Sequence, residues 1–249
     1  MKDKVNILGI DIDKVDMFNT LKRIEGFIAQ GGPHQIITLN VDFVVIASKD
    51  LEFKNIIKAA DLVVPDGVPL LWSAKFLGTP LLERVNGTDL VYACCKLAAQ
   101  KGYTVYLLGA APGVGIAAAE KLAAIYPRLK IAGVYSPPYG EFTQIEKEKI
   151  VHQIISVQPQ ILFVAFGNPK QERWIKENMN KINVPVCIGV GASFDFISGK
   201  LKRAPRWMQK IGLEWLHRLF QEPRRLWKRY LIGSFIFIQN ILREKSEIK

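Results

Sequence analysis

Two periodicities divide this chain. Short, nearly unbroken apolar runs mark strands buried on both faces, and segments with apolar residues three and four apart mark helices. The runs are Val5–Ile10, Gln35–Leu39, Leu62–Val64, Thr104–Leu108, Lys130–Tyr135, Gln160–Phe166 and Val184–Val190. Helical spacing falls at Met17–Ala29, Asp42–Ser48, Leu51–Ala60, Pro69–Leu77, Leu90–Ala99, Ile116–Ile125, a segment from Thr143 through Val157, and Gln171–Met179. Pro69 suits a first helical turn, and Thr88 and Thr143 are placed to serve as N-caps. Strands that alternate with helices in this way predict an α/β fold with a mostly parallel, doubly wound, Rossmann-like sheet.

The stretch from Ile36 to Leu70 sets the pattern. One apolar run ends in Thr38-Leu39-Asn40 and the next in Pro65-Asp66-Gly67, so each delivers small polar or acidic groups into a turn. Ligands of open α/β sheets sit at such strand ends. A carboxylate held there can act as a general base, which singles out Asp66. Taken alone, an Asp before Gly is also an ordinary turn residue.

The pattern changes near Gly199. Trp207, Ile211, Trp215 and Leu219 fall at steps of four, which predicts one helix, and Glu222-Pro223 then breaks it and restarts another. Arg224, Arg225, Lys228 and Arg229 alternate in pairs with Leu226-Trp227 and Tyr230-Leu231, and Tyr230 to Leu242 carries no charge. That run falls short of the about 20 residues a membrane-spanning helix needs. A basic face beside a Trp/Phe/Leu face suits a membrane interface, and packing on protein is the plainer alternative. The expected organisation is a catalytic α/β domain over 1–199 and an amphipathic basic appendage over 200–249.

Charge sharpens this division. The net +11 of the 249 residues is concentrated at the end, where residues 200–249 hold 13 Lys/Arg against 4 Asp/Glu and the remainder 21 against 19. The appendage alone is therefore suited to an anionic partner. With 49% hydrophobic residues the body can bury a large core, and wholesale disorder is excluded. Cys94, Cys95 and Cys187 form no disulfide framework, and His34, His152 and His217 are scattered, with no zinc spacing. The N-terminus meets Asp11, Asp13 and Asp16 before an apolar signal-peptide core develops, so cytoplasmic residence is expected. Asp11-Ile12-Asp13 spells a short acidic pattern used by some metal-dependent transferases, a pattern that is common by chance.

Two glycine-bearing turns follow buried runs. Leu108–Gly115 places backbone amides at a helix start, where a phosphate is favoured, although Gly109, Gly113 and Gly115 lack dinucleotide-fingerprint spacing and no Lys-Ser/Thr pair makes a P-loop. Phe166–Glu172 presents Lys170 and Gln171 at another helix start, suited to a diphosphate or a sugar. A plain βα turn and a solvated helix end are the competing readings.

In combination, Thr38-Leu39-Asn40, Val64–Gly67, Glu83–Asp89, Leu108–Val114, Phe166–Glu172, Gly191–Phe196, Gly212–Trp215 and Glu222–Arg225 resemble the WecG/TagA/CpsF family of glycosyltransferases, TagA-type members above all. The resemblance runs over nearly the whole chain. It implies inverting, metal-independent transfer of N-acetylmannosamine from its UDP donor to N-acetylglucosamine carried on undecaprenyl diphosphate, with no cofactor; the alternative within the family is another donor sugar, N-acetylmannosaminuronic acid or a hexose, for another surface polysaccharide. In teichoic acid synthesis this step builds the linkage disaccharide.

By resemblance, Asp66 is the base, and Thr38, Asn40, Arg84 and Gln171 line the sugar pocket. Arg218, Arg225 and Lys228 cover it and neutralise diphosphate. Family members usually carry Arg where this chain has Lys228, so contact there is through one ammonium rather than a fork. Gly109, Ala110, Pro112, Gly113, Gly167, Lys170 and Asp195 are the expected nucleotide-facing positions. The implied partners are the UDP-sugar, the lipid-linked acceptor, the inner face of the plasma membrane and further copies of the chain. Two rival classes are a nicotinamide-dependent oxidoreductase and a tail-driven membrane- or nucleic-acid-binding module. The glycine spacing counts against the first, and no nucleic-acid recognition motif supports the second.

Overall fold

A computed structural model describes residues 4–138, 140 and 142–247. In chain order the elements are β1 (Lys4–Ile7), β2 (Ile10–Asp13), α1 (Met17–Gln30), β3 (His34–Leu39), α2 (Val41–Ala47), α3 (Leu51–Lys58), β4 (Leu62–Pro65), α4 (Val68–Leu77) and α5 (Gly87–Lys101). There follow β5 (Thr104–Gly109), α6 (Val114–Ile125), β6 (Lys130–Tyr135), α7 (Gln144–Val157), β7 (Ile161–Ala165), α8 (Lys170–Ile182), β8 (Val186–Gly189) and α9 (Ser193–Ser198). The chain ends in α10 (Arg206–Lys210), α11 (Glu214–Gln221), α12 (Pro223–Trp227), a π-helical turn over Lys228–Ile232 and α13 (Gly233–Glu247). Among the described residues, six strands form one sheet in the order β4-β3-β8-β7-β5-β6, and the paired registers of β3, β8, β7, β5 and β6 are all parallel. The expected doubly wound α/β class is what forms.

The chain divides into two compact units, one of Met1–Met17, Thr38–Asn86 and Leu201–Lys249, the other of Phe18–Ile37 and Gly87–Lys200. In the second unit, Tyr106, Leu108, Leu162, Val164 and Cys187 face Ile150 and Ile154 of α7 and Trp174, Ile175 and Met179 of α8. Alternation sends Val105, Leu107, Ile161 and Phe163 to the other face, and these are buried as well. Cover on both faces explains why these strands read as continuous apolar runs. Thr143 caps α7 in a reciprocal capping box with Glu146, as the sequence predicts.

The first unit contains a feature the apolar pattern hides. The expected strand Val5–Ile10 is instead an antiparallel hairpin of β1 and β2, because Leu8 (φ 53°) and Gly9 (φ 75°) turn the chain back. A leucine in the left-handed region gives no turn signal. Asp13, at the end of β2, is fully buried and accepts a hydrogen bond from Val63 N at 2.9 Å, with Lys4 Nζ 3.8 Å away. Its carboxylate thus braces β4, while Asp11 accepts from Asn6 Nδ2 at 2.7 Å.

Two further expectations are corrected. Thr88 is not an N-cap. The helix α5 begins at Gly87, and Thr88 Oγ1 within its first turn donates to Ser193 Oγ at 3.1 Å. The steps of four from Trp207 to Leu219 do not form one helix. Gly212 (φ 72°) ends the turn after α10, and a Cβ there would lie 2.9 Å from Val68 Cβ. Glycine is what lets the tail lie this close to α4. Pro223 does restart the helix as α12, and α13 packs on α2 with Phe237 and Ile241 buried.

Candidate active site

Asp66 sits one residue past β4, whose four residues are all buried. Its backbone N–H donates to Leu39 O at 2.6 Å, so strand pairing with the end of β3 continues into the turn. Pro65 O accepts from Val85 N at 2.8 Å, which lays the 84–86 segment alongside. That placement lets Asn86 Nδ2 donate to Asp66 Oδ1 at 2.8 Å. The half-buried carboxylate is thereby oriented at a strand end.

The turn after β3 is built differently. Thr38 is 4% exposed. Asn40 caps α2, its Oδ1 accepting from Asp42 N at 3.0 Å and Phe43 N at 3.4 Å. Capping commits the amide oxygen, so the NH2 group is what Asn40 can offer a ligand.

Around Asp66 the first unit assembles charges from distant parts of the sequence. Arg84 Nη1 pairs with Glu214 Oε2 at 3.0 Å, and Glu214 Oε1 pairs with Arg203 Nε at 3.3 Å. Arg203 Nη2 donates to Asn86 Oδ1 at 3.3 Å. Asp66, Asn86, Arg203, Glu214 and Arg84 therefore form one connected chain of contacts. Asn86 and Glu214 lie inside motifs that the sequence brings forward, yet neither is among the expected site residues. Arg203 lies in the 201–205 segment, outside any periodic element, and has no local signal.

The expected tail cations belong to the same unit. Glu222 Oε2 lies 3.6 Å from Arg218 Nε and 2.5 Å from Arg225 Nη2. Partial burial pushes the Glu222 carboxyl up, but the hydrogen bond and charge of Arg225 and the charge of Arg218 outweigh it, leaving it below its ordinary value. Two arginines focused on one carboxylate present the kind of electropositive spot a diphosphate can use. Lys228 Nζ lies 5.5 Å from the centre of the Trp227 ring. Arg229 Nε pairs with Asp42 Oδ2 at 3.0 Å.

The second unit holds the glycine turns. Gly109 (φ 105°) ends β5 where a Cβ would come within 2.7 Å of Ala165 O, and Ala110 N donates to that same carbonyl at 3.0 Å. Ala110, Pro112 and Gly113 lead directly into α6. Gly167 (φ 79°) ends the β7 side. Gln171 is 2% exposed, and its Oε1 accepts from Gly167 N at 3.1 Å and Gly191 N at 3.0 Å while Nε2 donates to Glu172 Oε1 at 2.7 Å. It ties together the turns that follow β7 and β8. Lys170 Nζ bonds the Gly140 carbonyl and lies 3.7 Å above the Phe142 ring, and Asp195 pairs with Lys200 at 3.2 Å.

Thr38, Asn40, Asp66, Arg84, Arg218, Arg225 and Lys228 thus belong to the first unit, and Gly109, Ala110, Pro112, Gly113, Gly167, Lys170, Gln171 and Asp195 to the second. Among the described residues no group of three His, Cys, Asp or Glu side chains is placed to hold a metal ion. Among the same described residues no helix is long and apolar enough to cross a membrane.

Comparison with known proteins gives the family. Residues 5–249 match the model of the glycosyl transferase WecG/TagA/CpsF family. Proteins named N-acetylglucosaminyldiphosphoundecaprenol N-acetyl-beta-D-mannosaminyltransferase, from Staphylococcus aureus strains MRSA252, MW2 and NCTC 8325, are each 32% identical over 248 residues, covering 99% of this chain and 95% of theirs. With the match spanning both units and every motif described above, the chain belongs to the WecG/TagA/CpsF family of glycosyltransferases.

Proposed function

We propose that this enzyme moves N-acetylmannosamine from UDP-N-acetylmannosamine to the N-acetylglucosamine of an undecaprenyl-diphosphate-linked acceptor, with inversion, making the linkage disaccharide of wall teichoic acid. The name borne by the staphylococcal relatives supports the transferred sugar and the acceptor. The observation that carries the mechanism is Asp66, a carboxylate at a strand end whose Oδ1 is held by Asn86 at 2.8 Å. An inverting displacement needs one base to take the proton from the attacking hydroxyl as the bond to the anomeric carbon forms and the bond to UDP breaks. Asp66 is that base.

The departing diphosphate needs its charge stabilised by groups already in place. Arg218, Arg225 and Lys228 are suited to this, and Arg84 lies on the same unit. Thr38 and the NH2 group of Asn40 hold the sugar. On the second unit, the Ala111 and Gly113 amides of the Gly109–Gly113 turn are suited to receive the nucleotide, and Gly167, Lys170 and Asp195 are the further nucleotide-facing candidates. Gln171 acts through the two turns it ties. The tail also presents exposed Trp207, Phe220, Leu231, Phe235, Ile238 and Leu242 among its basic residues. That composition suits peripheral binding to the cytoplasmic face of the plasma membrane, where a lipid-linked acceptor resides. Self-association of the folded chain is part of the same reading.

Turnover of UDP-N-acetylmannosamine with a lipid-linked N-acetylglucosamine acceptor, with and without EDTA, tests the reaction. Activity indifferent to chelator is expected, and its loss would return Asp11 and Asp13 to consideration. Asp66→Asn tests the base. It should keep the fold and lose kcat by about 10²–10⁴-fold, and wild-type kcat would remove Asp66 from that role.

A further inference from the structure

We infer that Asn86 and Arg203 are positioning residues for the Asp66 carboxylate, with Arg203 bringing the C-terminal segment into the setting of the base. This rests on the reading of Asp66 as the base. The argument begins with the two faces of an amide. A carboxylate only accepts, so the NH2 face of Asn86 must turn toward Asp66 Oδ1, 2.8 Å away. A guanidinium only donates, so the oxygen face must turn toward Arg203 Nη2, 3.3 Å away. Asp66 and Arg203 therefore demand the same orientation of the Asn86 amide, and Arg203 locks the one that holds Asp66.

Arg203 is itself fixed. Its Nε meets Glu214 Oε1 at 3.3 Å, and the other oxygen of Glu214 meets Arg84 Nη1 at 3.0 Å. All three charged side chains are about one-fifth exposed, so water competes weakly for these bonds. Glu214 also opens α11, where the helix dipole favours a carboxylate. The backbone of the 84–86 segment is held separately, by Val85 N to Pro65 O at 2.8 Å. Loss of Arg203 should thus loosen the amide's hold on Asp66 without moving the chain that carries it. Asp66, Asn86 and Arg84 come from the first ninety residues of the sequence and Arg203 and Glu214 from its last fifty, so the base is oriented fully only when the C-terminal segment is seated.

The test uses the full-length chain, UDP-N-acetylmannosamine and a soluble lipid-diphosphate-N-acetylglucosamine analogue. Arg203→Met should lower kcat about ten- to hundredfold through misplacement of the base, with donor and acceptor KM within about twofold. Arg203→Lys keeps a cation beside Glu214 but cannot span both partners, so it should show the same kcat-only loss and serves if the methionine variant fails to fold. Asn86→Asp replaces the donor by a second negative charge. It should move the acid limb of the kcat–pH profile upward by about one unit or more. In an Asp66→Asn background, Arg203→Met should cost nothing further.

A KM rise with kcat unchanged would make Arg203 a substrate contact and overturn the inference, as would an unmoved acid limb or additive losses in the double variant. If Asp66→Asn is inactive while the Asn86 and Arg203 variants behave as wild type, the positioning role alone fails. If Asp66→Asn retains wild-type kcat, the reading of the base fails first.

Discussion

Arg229 reaches back across nearly the whole length of the first unit's sequence to place its Nε 3.0 Å from Asp42 Oδ2. Asp42 lies in the first turn of α2, the helix that Asn40 caps, so the tail is tied to the very turn whose amide faces the expected sugar pocket. The pair is three-quarters or more buried on both sides. Arg229→Gln should speed hydrogen exchange in α12 and α13 and raise the donor KM, with a stability loss of about 1–3 kcal/mol because a largely buried carboxylate loses a charged partner. Unchanged exchange in those helices would separate the ion pair from the seating of the tail.

Removing residues 200–249 is a harsher version of the same experiment. It deletes Arg203, Glu214, Arg218, Arg225 and Lys228 together and uncovers the surface of α2 on which Phe237 and Ile241 pack. The truncated chain should lose turnover on a soluble acceptor at saturating substrate, because base setting and leaving-group neutralisation both go. Full turnover on that acceptor would confine the tail to membrane binding.

The three cysteines make a prediction about chemistry that does not occur. Burial pushes the Cys95 and Cys187 thiols up to about 12, and Cys94 is raised well above its usual range by burial and by its neighbour Cys95. Thiolate is the reactive form, so at pH 8 the native chain should resist a thiol reagent and the denatured chain should titrate all three. Rapid labelling of one cysteine in the native state would show local opening around α5 or β8.

Glu222 gives the tail a dependence on acidity. Burial is the largest single influence and pushes its carboxyl up, but Arg225 and Arg218 together outweigh it and hold the carboxyl below the ordinary value of 4.5. A lowered folded value means the contribution is complete above the unfolded value and fades as pH falls through the folded one. Thermal melts should therefore change little with this residue's charge above about pH 5 and lose its contribution below about pH 4.5, an effect that Glu222→Gln removes.

Much of this was legible in the order of residues, and what was not has identifiable causes. The ends of β3 and β4 stand out because buried runs stop abruptly at Asn40 and Asp66, and local sequence is enough for that. The hairpin of β1 and β2 is missed because Leu8 adopts a left-handed conformation that its type does not advertise. The tail helix splits where Gly212 must pass close to Val68, a tertiary requirement that a step-of-four pattern does not contain. Arg203 is silent for another reason. Its importance comes from a partner more than a hundred positions away, and a lone arginine in a short connecting segment looks like any solvated cation.

The π-helical turn over Lys228–Ile232 carries one last consequence. Such a turn accommodates a residue more than an α-helix would, and each residue turns a helix by about 100°. Leu226 before it and Phe237 and Ile241 after it are all buried; on an unbroken α-helix they would fall within about 60° of one another, and the wide turn offsets the buried face of α13 from that of α12 by about one residue's rotation. Deleting one residue inside the turn would let it close to α-helical winding with α13 still in phase, whereas deleting Ser234 in the first turn of α13 would leave composition, charge and hydropathy almost untouched yet bring Ile238 where Phe237 belongs. The length of the tail, counted to the residue, is therefore as much a specification as the arginines it bears.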